Sequence, residues 1–400
     1  MRALLAVSLA AAMVAVIALA VPAGATTDYA AKTGQPCTTC HSTIPALNAT
    51  GETFKAGGYV WPIPAAPSEA PAGVPAPTGN PILTSVRVDA APVLDGNGND
   101  SAWAKASALE IPVTTFGIPK FNITIKSVYS GDMVYFLAQY LDSNYQVERS
   151  NWAYDASKKA WGRIEDDFGD EDEMGFFFNI NLPNYDSVGC AQTCHGEKMV
   201  APKGTTLDYW QFSSARANPM GWARDFRLSD DENADPAGGF TRDESSGGNR
   251  GYADNVQKLG GVEVPLYWKP YSGTGGVSVG DPRFLLQSEI DSGLAKKIVK
   301  ADADGTLTDK AGNKVPMFTR IPGRILSAPS GPSWNDIQAK GAWMDGVWTV
   351  EFARKMDTGH WDDVKFDPAG QYDFDMYIKT RQPGESAHAE VPVSKLVFAQ

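Results

Sequence analysis

The stretch from Pro62 to Pro81, PIPAAPSEAPAGVPAPTGNP, holds seven prolines and five alanines in twenty residues. Proline withholds a backbone donor and alanine offers little surface to bury, so this segment builds no core and reads as an extended, semi-rigid linker. It divides the chain. A short piece precedes it, too small to enclose much apolar volume, and some 320 residues follow, from Ile82 to Gln400.

The two parts have different patterns. Before the linker, Ala46–Lys55 reads as a short helix, with Leu47 and Phe54 seven apart on one face and Gly57-Gly58 to stop it. After it the chain is strand-like. Thr84–Val88, Phe121–Tyr129 and Met133–Tyr140 are rich in β-branched and aromatic residues, and Gly131-Asp132 makes a hairpin-like turn between the last two. Gly346–Phe352, Tyr372–Ile378 and Val393–Phe398 repeat the alternation near the end. Many short strands with turn-rich connections indicate a mainly β chain, an antiparallel β-sandwich. Residues 229–251 are crowded with Asp, Gly, Asn and Ser and read as a surface loop inserted in that domain. The acidic run around Asp166 to Glu173 reads as solvated or loop-like, and Asp302-Ala303-Asp304-Gly305 as a plain turn, since Ala311 stands where a calcium loop needs its final Glu.

The first residues point out of the cytoplasm. Arg2 precedes an apolar run from Leu4 to Val21, and Pro22-Ala23-Gly24-Ala25 offers a small-residue cleavage site after Ala25. This is the form of a secretory signal peptide, residues 1–25; a retained membrane anchor is the competing reading. No later segment reaches membrane-spanning length, so the mature chain is expected to be soluble, in the periplasm, at the cell surface or secreted. Without Arg2 the chain carries 34 basic against 47 acidic side chains, a net charge near −13, which excludes nucleic acid as a natural partner.

The four cysteines fall as two close pairs, each followed by histidine. In Cys37-Thr38-Thr39-Cys40-His41 two thiols on one turn reach the two vinyl groups of a porphyrin, and His41 is then placed to ligate the iron. A thioredoxin-like pair lacks its βαβ setting here, and half a zinc site lacks a matching partner pair. Residues 26–61 are therefore a small c-type haem module. In Cys190-Ala191-Gln192-Thr193-Cys194-His195 three residues separate the cysteines. Two thioethers with one residue looped out, a single thioether, and a disulfide beside a non-covalent haem all remain open there.

The second motif has a recognisable neighbourhood. VLDGNGNDSAWAKASALEIPV, with Leu94-Asp95-Gly96 and Trp103, opens the domain, and SVYSGDMVYFLAQYLD follows. Then come GCAQTCHGEKM with LDYWQFSSARANPMGWARD, and GAWMDGVWTVEFARKMDTGHWDDVKF with SAHAEVPVSKLVF. Over most of 82–400 the chain resembles the haem-binding domain of the ethylbenzene dehydrogenase gamma-subunit type, the haem subunits of DMSO reductase-like complexes. The resemblance implies a β-sandwich with haem near one end, a second haem at Cys190, Cys194 and His195, and His388 as the ligand facing it. It also implies a molybdenum-containing catalytic subunit as a partner. The segment CTTCHSTIPALNATGETFKAGGY is similar to a small motif of exported cytochromes.

His360 reads as a surface turn residue, with service to the first haem as its alternative. Met174, Met199, Met220, Met317 and Lys198 read as core or surface residues before ligands, and Trp103, Trp210, Trp343 and Trp348 as core and pocket walls. No nucleophile stands with a base in a catalytic pattern. The expected function is an exported dihaem electron carrier working with redox partner proteins, with no active site of its own. The alternatives are a haem subunit of a molybdenum-containing oxidoreductase complex and, in another class, a carbohydrate- or ligand-binding β-sandwich.

Overall fold

The computed structural model of the protein describes residues 41–43, 46–47, 79–115, 118–164, 171–189, 201–230, 240–242, 251–270, 284–317, 319–331, 333, 335–380 and 389–399. The chain falls into two units, Met1–Ala66 and Pro67–Gln400.

In the first unit, His41–Thr43 pairs antiparallel with Ala46–Leu47, His41 opposite Leu47. The helix expected from Ala46 thus does not begin there. Residues 48–55 lie outside the described residues, as do Cys37, Cys40 and the signal segment.

In the second unit, twelve strands among the described residues join one sheet. They are β1 (Ile82–Arg87), β2 (Leu109–Thr115), β3 (Ile118–Ser130), β4 (Met133–Leu141), β5 (Glu173–Asn179) and β6 (Leu207–Ser213). β7 (Arg224–Leu228), β8 (Phe240–Arg242), β9 (Gln338–Met344), β10 (Val347–Lys355), β11 (Gln371–Lys379) and β12 (Ala389–Phe398) complete it. The order is β8-β7-β6-β5-β11-β12-β1-β3-β4-β10-β9, with β2 paired to both β12 and β3. The pairings of β1 with β12 and with β3 are parallel; the other pairings in the sheet are antiparallel.

The sheet curls until its two wings face each other. Phe136 on β4 meets Phe176 on β5 at 5.2 Å and Trp210 on β6 at 5.6 Å between ring centroids, although those strands are not neighbours. Phe212 on β6 meets Trp348 on β10 edge-on at 5.5 Å. These rings, with Val134, Ile123, Ile125, Val350 and Leu396, fill a common core between the wings. Gly341 on β9 allows the close approach, since a Cβ there would sit 2.6 Å from the Phe212 ring. The far edges also meet: the Ala339 amide donates to Gly221 O, the Ala223 amide to Ile337 O, and Asn218 exchanges two hydrogen bonds with Gly341. That contact satisfies backbone groups which an open edge would leave exposed.

The expected strands are all present, and the mainly β, sandwich-like class is what the sheet shows. β4 is buried on both faces, because Tyr135 and Leu137 pack under Val88, Ala102 and Trp103 on its outer side. Its nearly unbroken apolar run has that cause. Residues 229–251 are not wholly loop, since Phe240–Arg242 pairs with β7 as β8. The chain from Tyr252 to Leu326 builds several two- and three-stranded sheets whose apolar side chains join Trp152 and Trp161: Trp268, Ile298, Leu307 and Ile321. Asp302–Gly305 is a turn closed by the Asp302 amide on Thr306 O and the Thr306 amide on Asp304 Oδ1. Among the described residues no helix is long and apolar enough to cross a membrane.

Candidate functional site

The second cysteine motif follows directly on an ordered helix. Tyr185–Val188 forms one turn, and Gly189 ends it at φ 59° so close to β11 and β12 that a Cβ would lie 2.6 Å from Asp375 and 2.9 Å from Val393. Cys190, Cys194 and His195 lie outside the described residues. The chain is described again from Ala201, whose amide donates to Ser229 O just past β7. The two ends of the motif segment therefore stand at opposite sides of the four strands β7, β6, β5 and β11.

The outer face of those strands forms rows set by register. Phe226, Tyr209, Phe177 and Asp375 lie side by side, and the next row is Arg224, Gln211, Gly175 and Tyr377. Phe177 stacks on Tyr209 at 4.4 Å, and Tyr209 on Phe226 at 5.5 Å. Gly175 makes space in this floor, since a Cβ there would meet the Tyr377 ring at 2.3 Å and the Tyr209 ring at 2.6 Å. The rings carry polar handles. The Tyr209 and Tyr377 hydroxyls share a 2.6 Å hydrogen bond, Gln211 Nε2 donates to both at 2.6 and 2.7 Å, and the Tyr185 hydroxyl donates to Asp375 at 2.8 Å. Burial raises both the Tyr209 and Tyr377 hydroxyls above the ordinary tyrosine range, so both stay neutral.

Beyond the aromatic rows lies a charged row, with Glu173 on β5 opposite Lys379 on β11. Arg216 bonds Glu171 through Nε and Glu173 through Nη2 at 2.5 Å, and Glu171 also accepts the Ala215 and Arg216 amides. Lys379 Nζ is 3.9 Å and Arg224 Nη2 is 4.0 Å from the same Glu173. Burial opposes ionisation of Glu173, yet Arg216, Lys379 and Arg224 hold its carboxyl below the usual range. Burial, with Arg149 and Arg216 nearby, lowers the Lys379 ammonium. The acidic run expected to be solvated is therefore buried at Glu171, Asp172 and Glu173, because Arg216, Trp348 and backbone amides engage the carboxylates. Arg216 stands more than forty residues from its partners, so nothing local in the sequence announced this.

A second buried charged group lies on the inner face, near the β6–β7 edge. Asp208, Asp225 and Asp363 bring carboxylate oxygens within 4.8 Å of one another. Arg354 on β10 bonds Asp208 Oδ2 at 2.6 Å and the Val364 carbonyl, and stacks 4.6 Å over Trp210. The Val364 amide donates to Asp208 Oδ2, and the Thr358 hydroxyl to Asp363. Burial first, then Asp208, pushes the Asp363 carboxyl up to about 8 against the pull of Arg354.

The remaining site residues distribute as follows. His41 falls in the short strand of the first unit. His388 lies outside the described residues, one position before Ala389, which opens β12 opposite Ile378. His360 is half-buried in the turn after β10, and Met199 and Lys198 lie outside the described residues. Met174 is core. Trp103, Trp210 and Trp348 are buried, as expected of wall residues.

No curated protein matches the chain. Similar solved structures include a carbohydrate binding module of family 9 from Caldicellulosiruptor kristjanssonii in complex with glucose, 8% identical, with 80% of this chain and 94% of that chain covered and a TM-score of 0.28. Another is a protein from Bacteroides uniformis named as carbohydrate-binding, 7% identical, covering 80% and 100%, TM-score 0.29. Likenesses at this level carry no argument about ligand. A family profile, Ethylbenzene dehydrogenase, matches residues 100–377, from before Trp103 through most of β11. The chain belongs to the ethylbenzene dehydrogenase family.

Proposed function

We propose that the protein is an exported dihaem c-type cytochrome that transfers electrons between redox partners outside the cytoplasm. Cys37, Cys40 and His41 hold one haem in the small module. Cys190, Cys194 and His195 would hold the second, with His388 as a further candidate iron ligand, beside the outer face of β7, β6, β5 and β11. Haem, when bound, supplies a one-electron couple. The chain's part is to seat it: Phe226, Tyr209 and Phe177 offer an aromatic floor of the kind that packs against a flat macrocycle. Buried Arg224 and half-buried Lys379 beside that floor suit the two propionate carboxylates that such a group carries. The observation that carries the reading is the family match over residues 100–377, within which the second Cys–His motif lies.

The test is intact mass with haem staining of the Cys190→Ala/Cys194→Ala variant beside the wild type. Loss of one haem mass supports covalent attachment at the second motif, and an unchanged mass refutes it. A wild-type protein without a haem signal on a denaturing gel refutes the cytochrome reading as a whole. The family match favours a second reading, a haem subunit of a molybdenum-containing oxidoreductase complex. Stable co-purification with a larger molybdenum-containing subunit supports that form, and a monomer that reduces soluble acceptors alone supports the free carrier.

A further inference from the structure

We propose that Asp208, Asp225 and Asp363 bind a calcium ion on the inner face of the sheet, where it ties the β6–β7 edge to the segment after β10. The inference does not rest on either haem, since these side chains lie on the other face from the aromatic floor.

Three parts of the chain bring the carboxylates together. Asp208 on β6 stands opposite Arg227 on β7, and Asp225 opposite Trp210, so the two aspartates are diagonal neighbours on one face of the strand pair. Asp363 comes from the segment between β10 and β11. One carboxylate oxygen from each lies within 4.8 Å of the other two, and all three residues are buried. Arg354 bonds Asp208 Oδ2 at 2.6 Å but stands 3.7 Å from Asp363 Oδ1, outside hydrogen-bond reach. Arg227 donates instead to Asp362, at 2.8 Å. Among the described residues three carboxylates thus share one guanidinium, and their excess of two negative charges matches a divalent cation.

The open oxygens point to a ligand independently of that charge. Asp208 Oδ1 and Asp363 Oδ1 are buried and accept no hydrogen bond among the described residues. Their partner oxygens are satisfied, Asp208 Oδ2 by Arg354 and the Val364 amide, and Asp363 Oδ2 by the Thr358 hydroxyl. Asp336, just ahead of β9, acts electrostatically on both Arg354 and Asp363, and its two buried oxygens also accept no hydrogen bond among the described residues. Carboxylate oxygens taken out of water without a donor are costly, and a bound cation offsets that cost.

The donors are all carboxylate oxygens, which select a hard cation over metals that prefer nitrogen or sulfur. Calcium–oxygen contacts run at about 2.3–2.6 Å, so oxygens up to 4.8 Å apart can share one ion with little movement. Calcium also tolerates irregular geometry, which suits ligands from separate elements, whereas magnesium demands a near-octahedral set. Asp336 and water fill the remaining positions. In the cation-free protein Arg354 is left as the ionic partner of the group.

The experiment is calorimetric titration of the full chain, stripped with a chelator and then freed of it, with calcium chloride and separately with magnesium chloride. Thermal unfolding is followed alongside. The expected result is one calcium per chain, weaker magnesium binding, and a melting point about 4 °C higher at calcium 100-fold above its dissociation constant. Asp363→Asn should weaken calcium binding at least tenfold and abolish the melting shift. Asp304→Asn, in the exposed Asp302–Gly305 turn, should leave both as in wild type. No calcium uptake by the wild type at millimolar concentration overturns the site, as does undiminished binding in Asp363→Asn or loss of binding in Asp304→Asn. If Asp363→Asn fails to fold, Asp225→Asn decides, and undiminished binding there overturns the site. Haem content per chain is unaffected by any of these outcomes, so the cytochrome reading stands or falls separately.

Discussion

Arg354→Met removes the guanidinium that bonds Asp208 on the inner face. Arg354 is fully buried and gives up a 2.6 Å bond to Asp208 and a bond to the Val364 carbonyl. Its charge also faces Asp363 at 3.7 Å. Methionine approximates the stem in volume, so the cost is electrostatic rather than a cavity. Breaking a buried pair by deleting one partner typically costs about 3–5 kcal/mol, because the other charge stays behind without compensation. For a unit of this size that corresponds to a melting-point loss of roughly 4–7 °C. The cost depends on pH. Burial pushes Asp208 and Asp363 above the usual carboxylate range even with Arg354 present, and further without it. A carboxyl whose folded pKa lies above its unfolded value stabilises when protonated and loses that contribution as pH rises through the folded pKa. The variant should therefore approach wild type near pH 5 and fall furthest behind above pH 8. Thermal unfolding by circular dichroism at both pH values measures this, and Arg354→Met/Asp208→Asn should recover part of the loss at high pH. A deficit under about 1 kcal/mol at pH 8, or one equal at the two pH values, refutes the argument.

Two further outcomes follow from other buried carboxyls. Asp142 is buried beside Asp172, which accepts bonds from Trp348 and the Gln146 amide, and burial raises Asp142 from 3.8 to about 7. By the same sign the stability of the wild type should fall as pH climbs from about 4 to about 7. Asp142→Asn should flatten that profile in urea unfolding, and an unchanged slope would count against a raised Asp142. Glu351 accepts the Trp103 indole at 2.8 Å and the Gly96 and Asp95 amides at 2.7 and 2.9 Å. Glu351→Ala orphans all three donors and should cost about 3–5 kcal/mol, with faster proteolysis between Asp89 and Asp100. Glu351→Gln should cost less, and equal losses for the two substitutions would show that packing, not hydrogen bonding, sets the effect.

Much of the fold was legible because a strand advertises itself locally. β1, β3, β4, β10, β11 and β12 appear where β-branched and aromatic residues alternate, and Gly131 takes its positive φ where the turn was expected. The helix from Ala46 was the weak case, resting on two apolar residues seven apart, and Ala46–Leu47 pairs as a strand instead. The small sheets between Tyr252 and Leu326 escaped notice because their strands are two to six residues long and bury few side chains each. Trp268, Ile298, Leu307 and Ile321 there share a core with Trp152 and Trp161, more than a hundred residues earlier.

The sequence by itself carried the Cys–His spacings at Cys37–His41 and Cys190–His195, the strand-rich character after the linker and the family likeness, since each depends on residues close together in the chain. Only the tertiary structure decided that Glu171 and Glu173 are buried and paired with Arg216, that Arg224 is left facing an aromatic floor, and that Asp208 depends on Arg354. Those partners come from distant parts of the chain, up to 146 residues apart. A charge pattern in sequence reads as solvated until the sheet register brings its counter-charge alongside. The curl of the sheet places the wings in contact, and the register aligns the side chains on each face.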